Sequence, residues 1–534
     1  MLALPILWRV YRQAQRRPEP SFSDRALAAL DISYAAHGDL NDIPATGPTL
    51  VVSNHPFGAL DGLVLASLLA RRRRRPDVRL LANDVLRRLP ALRDQLLPVN
   101  VFGGRSANAK NVASMREAIR WVREAGGCVC LFPSGVVSHE QRSGEGVADP
   151  AWHESVARLA RLTGAQVVPC FIEGQNSRMF QRVGRIHPFL RTLLLPGELL
   201  RARGRQVQVH IGRGIPAAQL DAGDDRVTAA SLRNRVYALA PERRNAVKRE
   251  VAALPPEQTL VRADTWSVFF ARAAQAPALM QEIGREREIA FRGAQEGTGQ
   301  EIDLDEFDRR YLHLCLWDHG RDELAGAYRM QPIEAWSGGQ ERDLYTQTLF
   351  HFDRRLTAAL APAIELGRAF VRPAYQKHHV ALALLWTGIA RFVARHPRYR
   401  HLFGPVSIGA SYGPLARQLI MNYLRRHAWH DELAPLVKAR TPPIADGTNA
   451  TPVDEVEMPV LLRQYLKLQA RVIGFNVDPA FSHALDALVV VDLTQVPVSV
   501  LGRYMGREQA HDYLTYHRLK GSQISAEAAC RRSA

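Results

Sequence analysis

The stretch NHPFGALDG, residues 54–62, decides the fold of the first half of this 534-residue chain. It follows the apolar run TLVVS, residues 49–53, and precedes residues 60–70, which are apolar at helical spacing. The stretch therefore predicts a turn from a strand to a helix that carries His55 and Asp61. A carboxylate that orients a neutral imidazole makes a general base for a substrate hydroxyl. The alternative interpretation is a polar loop that only caps the next helix.

Three later segments place polar residues directly after apolar runs. VNVFGGR ends in Arg105, whose guanidinium can hold an anionic group beside two glycines. CVCLFPSGVVS, residues 128–138, is rich in strand-forming residues and breaks at a proline and a glycine. AQVVPCFIEGQNS, residues 165–177, is a second buried strand with a polar end. Together with the strand before His55, these segments predict four strand ends that converge on one cleft.

The order of these blocks over residues 44–214 resembles the glycerolipid acyltransferases, which include the enzymes that acylate lysophosphatidic acid. The resemblance implies that His55 is the general base and that Asp61 orients it. It also implies that Arg105 binds the acceptor together with a loop formed by Phe132, Pro133, Ser134 and Gly135.

Two departures from the family pattern bear on the acceptor. Five residues separate His55 from Asp61 where the family has four, and Ser134 stands where the family has a glutamate. Gly58 can absorb the extra residue. Loss of a carboxylate beside an anion-binding arginine indicates an acceptor unlike glycerol phosphate, and points to the branch of the family that acylates lyso-aminolipids.

The chain is too long for this domain alone, because 534 residues predict about two to four domains. Residues 213–258 are rich in Gly, Pro, Asp and Arg, and the sequence LPPEQTL, whose two prolines indicate a break, lies at their end. We place the boundary near Pro255, which gives a first domain of residues 1–255 with an α/β fold and a second domain of residues 256–534.

The second half contains strands followed by a helix. An apolar strand at residues 311–317 precedes a polar turn and another strand at residues 323–330, which predicts a hairpin. A third strand, within residues 363–376, leads into an apolar helical segment. This order indicates an α+β fold.

Charged residues in this half resemble those of two groups in the GNAT superfamily that use acyl carrier protein. These are the acyl-homoserine-lactone synthases and, more closely, the ornithine N-acyltransferases, and the resemblance spans residues 269–503. The pattern has an arginine and a phenylalanine four apart, an acidic trio, an arginine near the end of the second core strand, and a Glu-Leu-x-Arg strand. Here these positions are Arg287, Phe291, Asp303, Asp305, Asp308, Arg329, Glu365 and Arg368.

N-acylation requires a neutral amine held against a thioester carbonyl, and a carboxylate can accept the proton that the nitrogen loses. The resemblance implies that Glu365 or a member of the trio such as Asp308 is the base or an ammonium clamp. It implies that Arg329 and Arg368 hold the substrate carboxylate or the phosphopantetheine of the donor. The alternative is that the trio is a solvated run of charges, partly paired to the neighbouring residues 309–310.

The positive charge is concentrated in the first half. Residues 1–250 contain 37 Lys and Arg against 22 Asp and Glu, a net charge of +15 out of the total of +17. Such a field attracts acyl carrier protein, which is acidic, and anionic lipid head groups. The five arginines of residues 71–75 would also suit nucleic acid, but no nucleic-acid fold signature accompanies them. We therefore expect no nucleic-acid partner.

The first 17 residues interleave apolar and basic side chains, including Leu4, Trp8 and Arg12. They predict an interfacial helix, which would place the protein in the cytoplasm at the surface of the inner membrane. The alternative is a helix docked on the first domain. No apolar run is long enough to span a bilayer, and the five cysteines lack metal-ligand spacing. We expect no metal and no cofactor apart from the acyl-carrying co-substrate.

Together these features predict a fused, two-step aminolipid synthase. The second domain would transfer a 3-hydroxyacyl chain from acyl carrier protein to the α-amino group of ornithine or another amino acid. The first domain would then acylate the 3-hydroxyl group of that chain. Two alternatives stay open: a lysophospholipid acyltransferase that acts on another acceptor, and a non-catalytic peripheral membrane-binding protein.

Overall fold

A computed structural model describes residues 3–73, 76–99, 105–141, 146–186, 188–220, 224–300, 302–334, 344–376, 379–443 and 457–532. The chain forms two compact units, which are described separately here. The division falls between Asn245 and Ala246, inside a helix, whereas the sequence placed the boundary near Pro255.

The first unit is built on a mostly parallel sheet. Its strands are β1 (Ser33–His37), β2 (Thr49–Ser53), β3 (Val78–Asn83), β4 (Leu96–Val99), β5 (Cys128–Leu131), β6 (His139–Glu140), β7 (Val147–Ala148), β8 (Gln166–Ile172) and β9 (Gln206–Ile211). The main sheet has the order β1-β9-β8-β2-β5-β3-β4, and β6 pairs with β7. Neighbours are parallel except for β8 and β9, so β8, β2, β5 and β4 end at one edge.

Helices cover this sheet on both faces. They are α1 (Ala3–Gln15), α2 (Phe22–Ala29), α3 (Ala59–Arg72), α4 (Arg105–Arg123), α5 (Ser155–Thr163), α6 (Arg178–Ile186), α7 (Pro188–Arg201), α8 (Asp225–Ala238) and α9 (Pro241–Ala252). All five residues of β2 are buried, as expected of a central parallel strand. Val51 packs in one apolar cluster while Leu50 and Val52 pack in another, because successive side chains point to opposite faces of a sheet.

Helix α1 has two distinct faces. Tyr11 and Ala14 are buried in the apolar cluster of the first unit, whereas Leu4, Ile6 and Trp8 are 66%, 43% and 49% exposed. The helix therefore docks on the domain and also presents an apolar surface, and its place at a membrane interface stays a prediction. In the part of the chain that the structure describes, every helix is too short or too polar to cross a bilayer.

The second unit is built on a mainly antiparallel sheet. Its strands are β10 (Thr259–Ala263), β11 (Trp266–Arg272), β12 (Leu312–Asp318), β13 (Glu323–Ile333), β14 (Phe350–Phe352), β15 (Ala363–Val371), β16 (His401–Ile408), β17 (Val437–Ala439), β18 (Arg471–Asp478) and β19 (Ala484–Asp492). The main sheet has the order β10-β11-β12-β13-β15-β16-β19-β18, and β14 pairs with β17. The predicted hairpin is confirmed as the antiparallel pair β12 and β13.

The helices of this unit are α10 (Pro277–Gly293), α11 (Arg354–Leu360), α12 (His379–Arg395), α13 (Pro414–His427), α14 (Val460–Lys467), α15 (Val498–Met505) and α16 (Arg507–Arg532). Helix α12 packs its apolar face, including Leu385 and Ile389, into the main core of this unit. The predicted α+β architecture is therefore confirmed.

The sheet of the second unit splits between β15 and β16. These strands are parallel, and they pair only as far as Glu365 and Phe403, although both continue for several residues. A bulge in β15 sets two residues against one of β13, and Arg368 in this bulge has a φ of +48°. The split exposes strand edges inside the domain, which is where a ligand can enter between strands.

Candidate active sites

The turn after β2 brings the predicted histidine and aspartate together. Nδ1 of His55 lies 2.9 Å from Oδ2 of Asp61, whose side chain is fully buried. Gly58 has a φ of +90°, a conformation that favours glycine, and the chain reverses there within the five-residue spacing. With Nδ1 beside a carboxylate, Nε2 of the imidazole is the nitrogen available to accept a proton.

Asp61 also begins the helix that follows. Its Oδ2 accepts hydrogen bonds from the backbone N–H groups of Phe57 and Gly58, at 2.9 and 2.8 Å. Burial raises the pKa of Asp61, while the hydrogen bonds and His55 act in the opposite direction. The turn therefore caps α3 and also places the capping carboxylate beside the imidazole, while the role of His55 as the general base stays a prediction.

A buried aspartate that the sequence did not single out holds the backbone around His55. Oδ1 of Asp149 accepts the N–H of His55 at 3.2 Å and the hydroxyl of Ser138 at 2.5 Å. Its Oδ2 accepts the indole N–H of Trp152 at 2.9 Å. Ser138 in turn donates its backbone N–H to the carbonyl of His55. Asp149 is thus a positioning residue, and its only sequence signal is an Asp-Pro turn.

The end of β2 is fastened to its neighbour by the residue before the histidine. The side-chain amide of Asn54 donates to the carbonyl of Ile172 at 2.9 Å and accepts its N–H at 2.7 Å. This pair joins the carboxyl ends of β2 and β8. It is one part of the predicted convergence of strand ends, and it fixes the chain immediately before His55.

The loop predicted to bind the acceptor lies against the imidazole. The Phe132 ring stacks on His55 with centroids 4.2 Å apart. The N–H of Gly135 donates to the carbonyl of Phe132, which closes a turn over the buried Pro133, and the hydroxyl of Ser134 donates to the carbonyl of Val136. The loop therefore stands beside the dyad. Arg105, the remaining predicted acceptor residue, begins α4, but its side chain lies outside the described part of the structure.

In the second unit, the acidic trio forms a buried network with arginines. Arg287 is 1% exposed, and its guanidinium reaches Oδ2 of Asp303 at 2.9 Å and both carboxylate oxygens of Asp308, at 3.0 and 2.8 Å. Nη1 of Arg329 donates to Oδ1 of Asp305 at 2.6 Å. The interpretation of the trio as solvated charges paired to residues 309–310 is therefore wrong, since the partners come from α10 and the sheet.

Asp308 has several hydrogen-bond and ion-pair partners within this network. The carboxylate accepts the backbone N–H of Asp305 and lies 3.5 Å from Arg329, in addition to its bidentate pair with Arg287. The two guanidinium groups hold the pKa of Asp308 well below its usual range. A carboxylate held in this state is a weak proton acceptor, so the geometry gives Asp308 a structural position and does not favour it as the base.

Glu365 is likewise buried among protein donors. Its Oε1 accepts the N–H of Thr346 at 2.7 Å, and its Oε2 accepts the hydroxyl of Tyr311. Burial raises the pKa of Glu365. Tyr311 also accepts the N–H of Tyr345 at 2.9 Å. Glu365 therefore fastens the segment of Tyr345 and Thr346 to the sheet.

A cleft of about 490 Å³, counting its part open to solvent, lies where β15 and β16 separate. Two predicted residues, Phe291 and Arg368, line it. Phe291 meets Phe481 edge to face, with centroids 5.0 Å apart. Asp486 of β19 also lines the cleft and was not predicted, although a charged residue within the apolar run ALDALVVV is a signal that could have found it.

The arginines around this cleft retain free donors. Arg329 lies over the rings of Phe307, Tyr311 and Tyr345, at 5.6, 5.1 and 4.9 Å from their centroids. Its Nε and Nη2, and Nε of Arg368, are buried without a hydrogen-bond partner among the described residues. Such donors suit an anionic ligand. The described residues contain no cluster of His, Cys, Asp and Glu that could hold a metal ion.

Two protein families match successive parts of the chain. Residues 7–245 match the family described as acyltransferase, and residues 287–387 match the acetyltransferase (GNAT) domain. The chain is also similar to a glycine N(alpha)-acyltransferase of Bacteroides thetaiotaomicron, with 32% identity over 218 residues, which cover 38% of this chain and 64% of that protein.

Two proteins of Phocaeicola vulgatus are further relatives. A glycine N(alpha)-acyltransferase is 34% identical over 165 residues, which cover 28% of this chain and 50% of that protein. A lyso-glycine lipid O-acyltransferase is 29% identical over 206 residues, which cover 38% of this chain and 70% of that protein. The chain thus spans less than two thirds of the length of the two glycine N-acyltransferases.

Proposed function

Because the chain consists of an N-terminal acyltransferase domain followed by a C-terminal GNAT domain, we propose that it makes an aminolipid in two acyl-transfer steps. The second unit N-acylates an amino acid with a 3-hydroxyacyl chain, and the first unit then O-acylates the 3-hydroxyl group. The observation that carries the proposal is the His55–Asp61 pair, a base suited to a hydroxyl acceptor, in the same chain as a GNAT domain with a cleft in its sheet.

In the O-acylation step, Nε2 of His55 removes the proton of the hydroxyl group while Asp61 stabilises the imidazolium that forms. The hydroxyl oxygen attacks the thioester carbonyl, and the tetrahedral intermediate collapses with loss of the thiolate. The thiolate then takes the proton from His55. Phe132, stacked on the imidazole, limits the rotation of the ring and shields this transfer from water.

In the N-acylation step, the acyl thioester occupies the split between β15 and β16, where the strand edges are open. The acceptor amine attacks from within the cleft. Arg368 lines the cleft, and its Nε has no hydrogen-bond partner among the residues that the structure describes. It binds an anionic group of the amino acid or of the donor. The lyso-lipid made by the second unit is the acceptor for the first unit. Covalent linkage of the two units raises its effective concentration at the O-acylation site of the first unit.

The amino acid is ornithine in our proposal, which rests on the likeness of residues 269–503 to the ornithine N-acyltransferases. Two buried carboxylates, Asp486 in the cleft lining and Glu296 on Ser407 of that lining, suit an acceptor with two ammonium groups. Glycine is the second candidate, since two relatives are named as glycine N-acyltransferases and one as a lyso-glycine lipid O-acyltransferase.

Acyl carrier protein is the proposed donor, and the membrane surface is the proposed place of action. The net charge of +15 in residues 1–250 supports attraction of an acidic carrier and of anionic lipids. The exposed Leu4, Ile6 and Trp8 of α1 can insert at the boundary between head groups and acyl chains. We place the protein at the cytoplasmic face of the inner membrane.

Lipid mass spectrometry tests the whole proposal. The chain, its His55→Ala variant and its Arg368→Met variant are expressed in a bacterial host that lacks aminolipids, and the fragment ions of the head group distinguish ornithine from glycine. We expect a new diacylated aminolipid from the wild type, its lyso form from the His55 variant, and neither from the Arg368 variant.

The other outcomes separate the alternatives. A glycine head group replaces the ornithine assignment and keeps the two-step scheme. Altered phospholipid acyl chains without an aminolipid indicate a lysophospholipid acyltransferase. No change in any lipid, with membrane association retained, indicates a non-catalytic binding protein.

A further inference from the structure

A buried carboxylate without a partner lies in the cleft of the second unit. Asp486 is 4% exposed and lies in β19, where the other residues from 484 to 491 are apolar. Its Oδ2 has no hydrogen-bond partner among the described residues, and its side chain lines the cleft. Burial of an unpaired carboxylate oxygen costs folding free energy, so this position indicates a ligand that supplies the missing donor.

Arg368 lines the same cleft from β15 and presents the opposite charge. Its Nη1 lies 3.0 Å from Oδ2 of Asp303, while its Nε has no partner among the described residues. Its guanidinium carbon lies 4.8 Å from the centroid of the Phe481 ring and 5.2 Å from that of Tyr345. These rings hold the guanidinium in place. Two residues that line one cleft therefore carry opposite charges, and each has a buried polar atom without a partner among the described residues.

We propose that Asp486 binds the α-ammonium group of the amino-acid acceptor and takes its proton, while Arg368 holds the α-carboxylate. This inference rests on the proposed N-acylation and names a catalytic residue for it. The two charges of an α-amino acid are carried on groups attached to one carbon atom, so a carboxylate and a guanidinium in one cleft match the part that all amino acids share.

The proton balance of the step is complete. The carboxylate of Asp486 takes one proton from the ammonium group, and the nitrogen lone pair then attacks the thioester carbonyl carbon to form the C–N bond. Collapse of the tetrahedral intermediate breaks the C–S bond. The departing thiolate takes the second proton that the nitrogen loses, and Asp486 returns its proton to solvent. No oxidant or reductant is needed.

The surroundings of Asp486 make it a stronger base than an exposed carboxylate. Burial raises the pKa of Asp486 well above its usual range, nearby Asp478 and Glu296 raise it further, and Arg368 lowers it. The polar and charged groups near it come from every neighbouring element: Asn476 and Asp478 of β18, Ser407 of β16, Arg368 of β15, Glu296 after α10, and Tyr345.

Steady-state kinetics on the purified full-length chain test the inference. The rate of amide formation from a 3-hydroxyacyl carrier protein is measured against ornithine and against glycine, over a range of pH. Asp486→Asn keeps the shape of the side chain and removes the base. Asp492→Asn is the matched control, because Asp492 lies on the same strand and pairs with Arg400 at 2.6 Å outside the cleft.

We expect Asp486→Asn to lower kcat/KM for the amino acid by about 100-fold or more. Its KM for the acyl carrier protein stays unchanged, and the rise of activity with pH that reports deprotonation of Asp486 disappears. Asp492→Asn keeps the activity and the pH profile of the wild type.

If Asp486→Asn has the activity and the pH profile of the wild type, this inference is overturned and the proposed function stays intact. A wild type that forms no amide with any amino acid overturns the proposed function itself. If Asp486→Asn does not fold, Asp486→Glu replaces it: we expect a retained pH profile with a lowered kcat, and an unchanged kcat rejects the role of Asp486.

Discussion

Oδ2 of Asp61 lies 2.9 Å from Nδ1 of His55 and at the same time accepts the backbone N–H groups of Phe57 and Gly58. One buried oxygen therefore starts α3 and orients the imidazole. Folding of the turn and positioning of the base are therefore coupled, since the same oxygen makes both sets of contacts. This coupling makes Asp61 a test of both stability and chemistry.

Asp61→Asn is expected to separate these two roles. The amide oxygen can still accept both backbone N–H groups, but it no longer stabilises the imidazolium. We expect O-acyl transfer to fall about 10²- to 10⁴-fold, measured as the conversion of lyso-aminolipid by purified protein. His37→Ala, at an exposed residue at the end of β1, is the control and keeps the activity.

Although Asp61→Asn should lower the activity, it should not lower the free energy of unfolding at alkaline pH. Burial raises the pKa of Asp61, so the stabilising contribution of the protonated carboxyl is lost as the pH rises through the folded-state pKa. Above that pKa the wild type holds a buried anion that the variant lacks. We expect the variant to be at least as stable in urea at pH 8 and to lose that advantage towards pH 4. A variant much less stable at pH 8 contradicts this account.

Gly174→Ala tests the packing behind the dyad turn. A Cβ at this position would lie 2.4 Å from Cζ of Phe57, and Gly174 has a φ of +121°. We expect a loss of about 2 to 4 kcal/mol in the free energy of unfolding, with lowered O-acyl transfer, because Phe57 donates to Asp61. Gly164→Ala, where φ is +62° but the space is open, should cost only about 1 kcal/mol and leave the transfer rate unchanged.

Arg287→Met tests whether the acidic network is structural. Its removal leaves the carboxylates of Asp303 and Asp308 buried without their main partner, so we expect about 3 to 5 kcal/mol of destabilisation in urea-induced unfolding. Arg368→Met should destabilise less, because Asp303 keeps its pair with Arg287, and should raise KM for the amino acid. Equal stability losses with no change in KM would assign both arginines to the network alone.

Glu365→Gln distinguishes a fastening residue from a base. Gln retains one acceptor for Thr346 or Tyr311, so we expect a loss of about 1 to 3 kcal/mol in the free energy of unfolding. N-acyl transfer, measured at a temperature where the variant is folded, should decrease far less than the about 100-fold or greater loss expected when a general base is removed. A loss of that size in the folded variant would restore Glu365 as the base.

Trp8→Glu and Leu4→Glu test the exposed face of α1. We expect each to weaken sedimentation of the protein with vesicles containing anionic lipid by about tenfold or more, since a buried side chain of this size contributes about 1.5 to 3 kcal/mol. Leu162→Glu, at a residue 47% exposed on α5, is the control. If Trp8→Glu and Leu4→Glu bind these vesicles as strongly as Leu162→Glu does, α1 is a docked helix without a membrane role.

Much of the architecture could be predicted because it depends on local patterns. The apolar runs that became β2, β5 and β8 lie within the predicted segments, and the polar turn between residues 317 and 323 became the β12–β13 hairpin. His55 and Asp61 could be found because an imidazole and a carboxylate at a strand end are chemically distinctive. The boundary near Pro255 was harder to place, since α9 runs through the division between the units.

The sequence by itself determined the order of strands and helices and the residues able to carry acyl-transfer chemistry, because periodicity and side-chain chemistry are local properties. Only the tertiary structure decided which charges are paired. Asp308 meets Arg287 from 21 residues away, and Asp149 meets the backbone of His55 from 94 residues away. Asp486 and Arg368 line one cleft, and each has a buried polar atom without a partner in the part of the chain that the structure describes. Burial and pairing depend on segments that only folding brings together, so they separate a structural carboxylate from a reactive one.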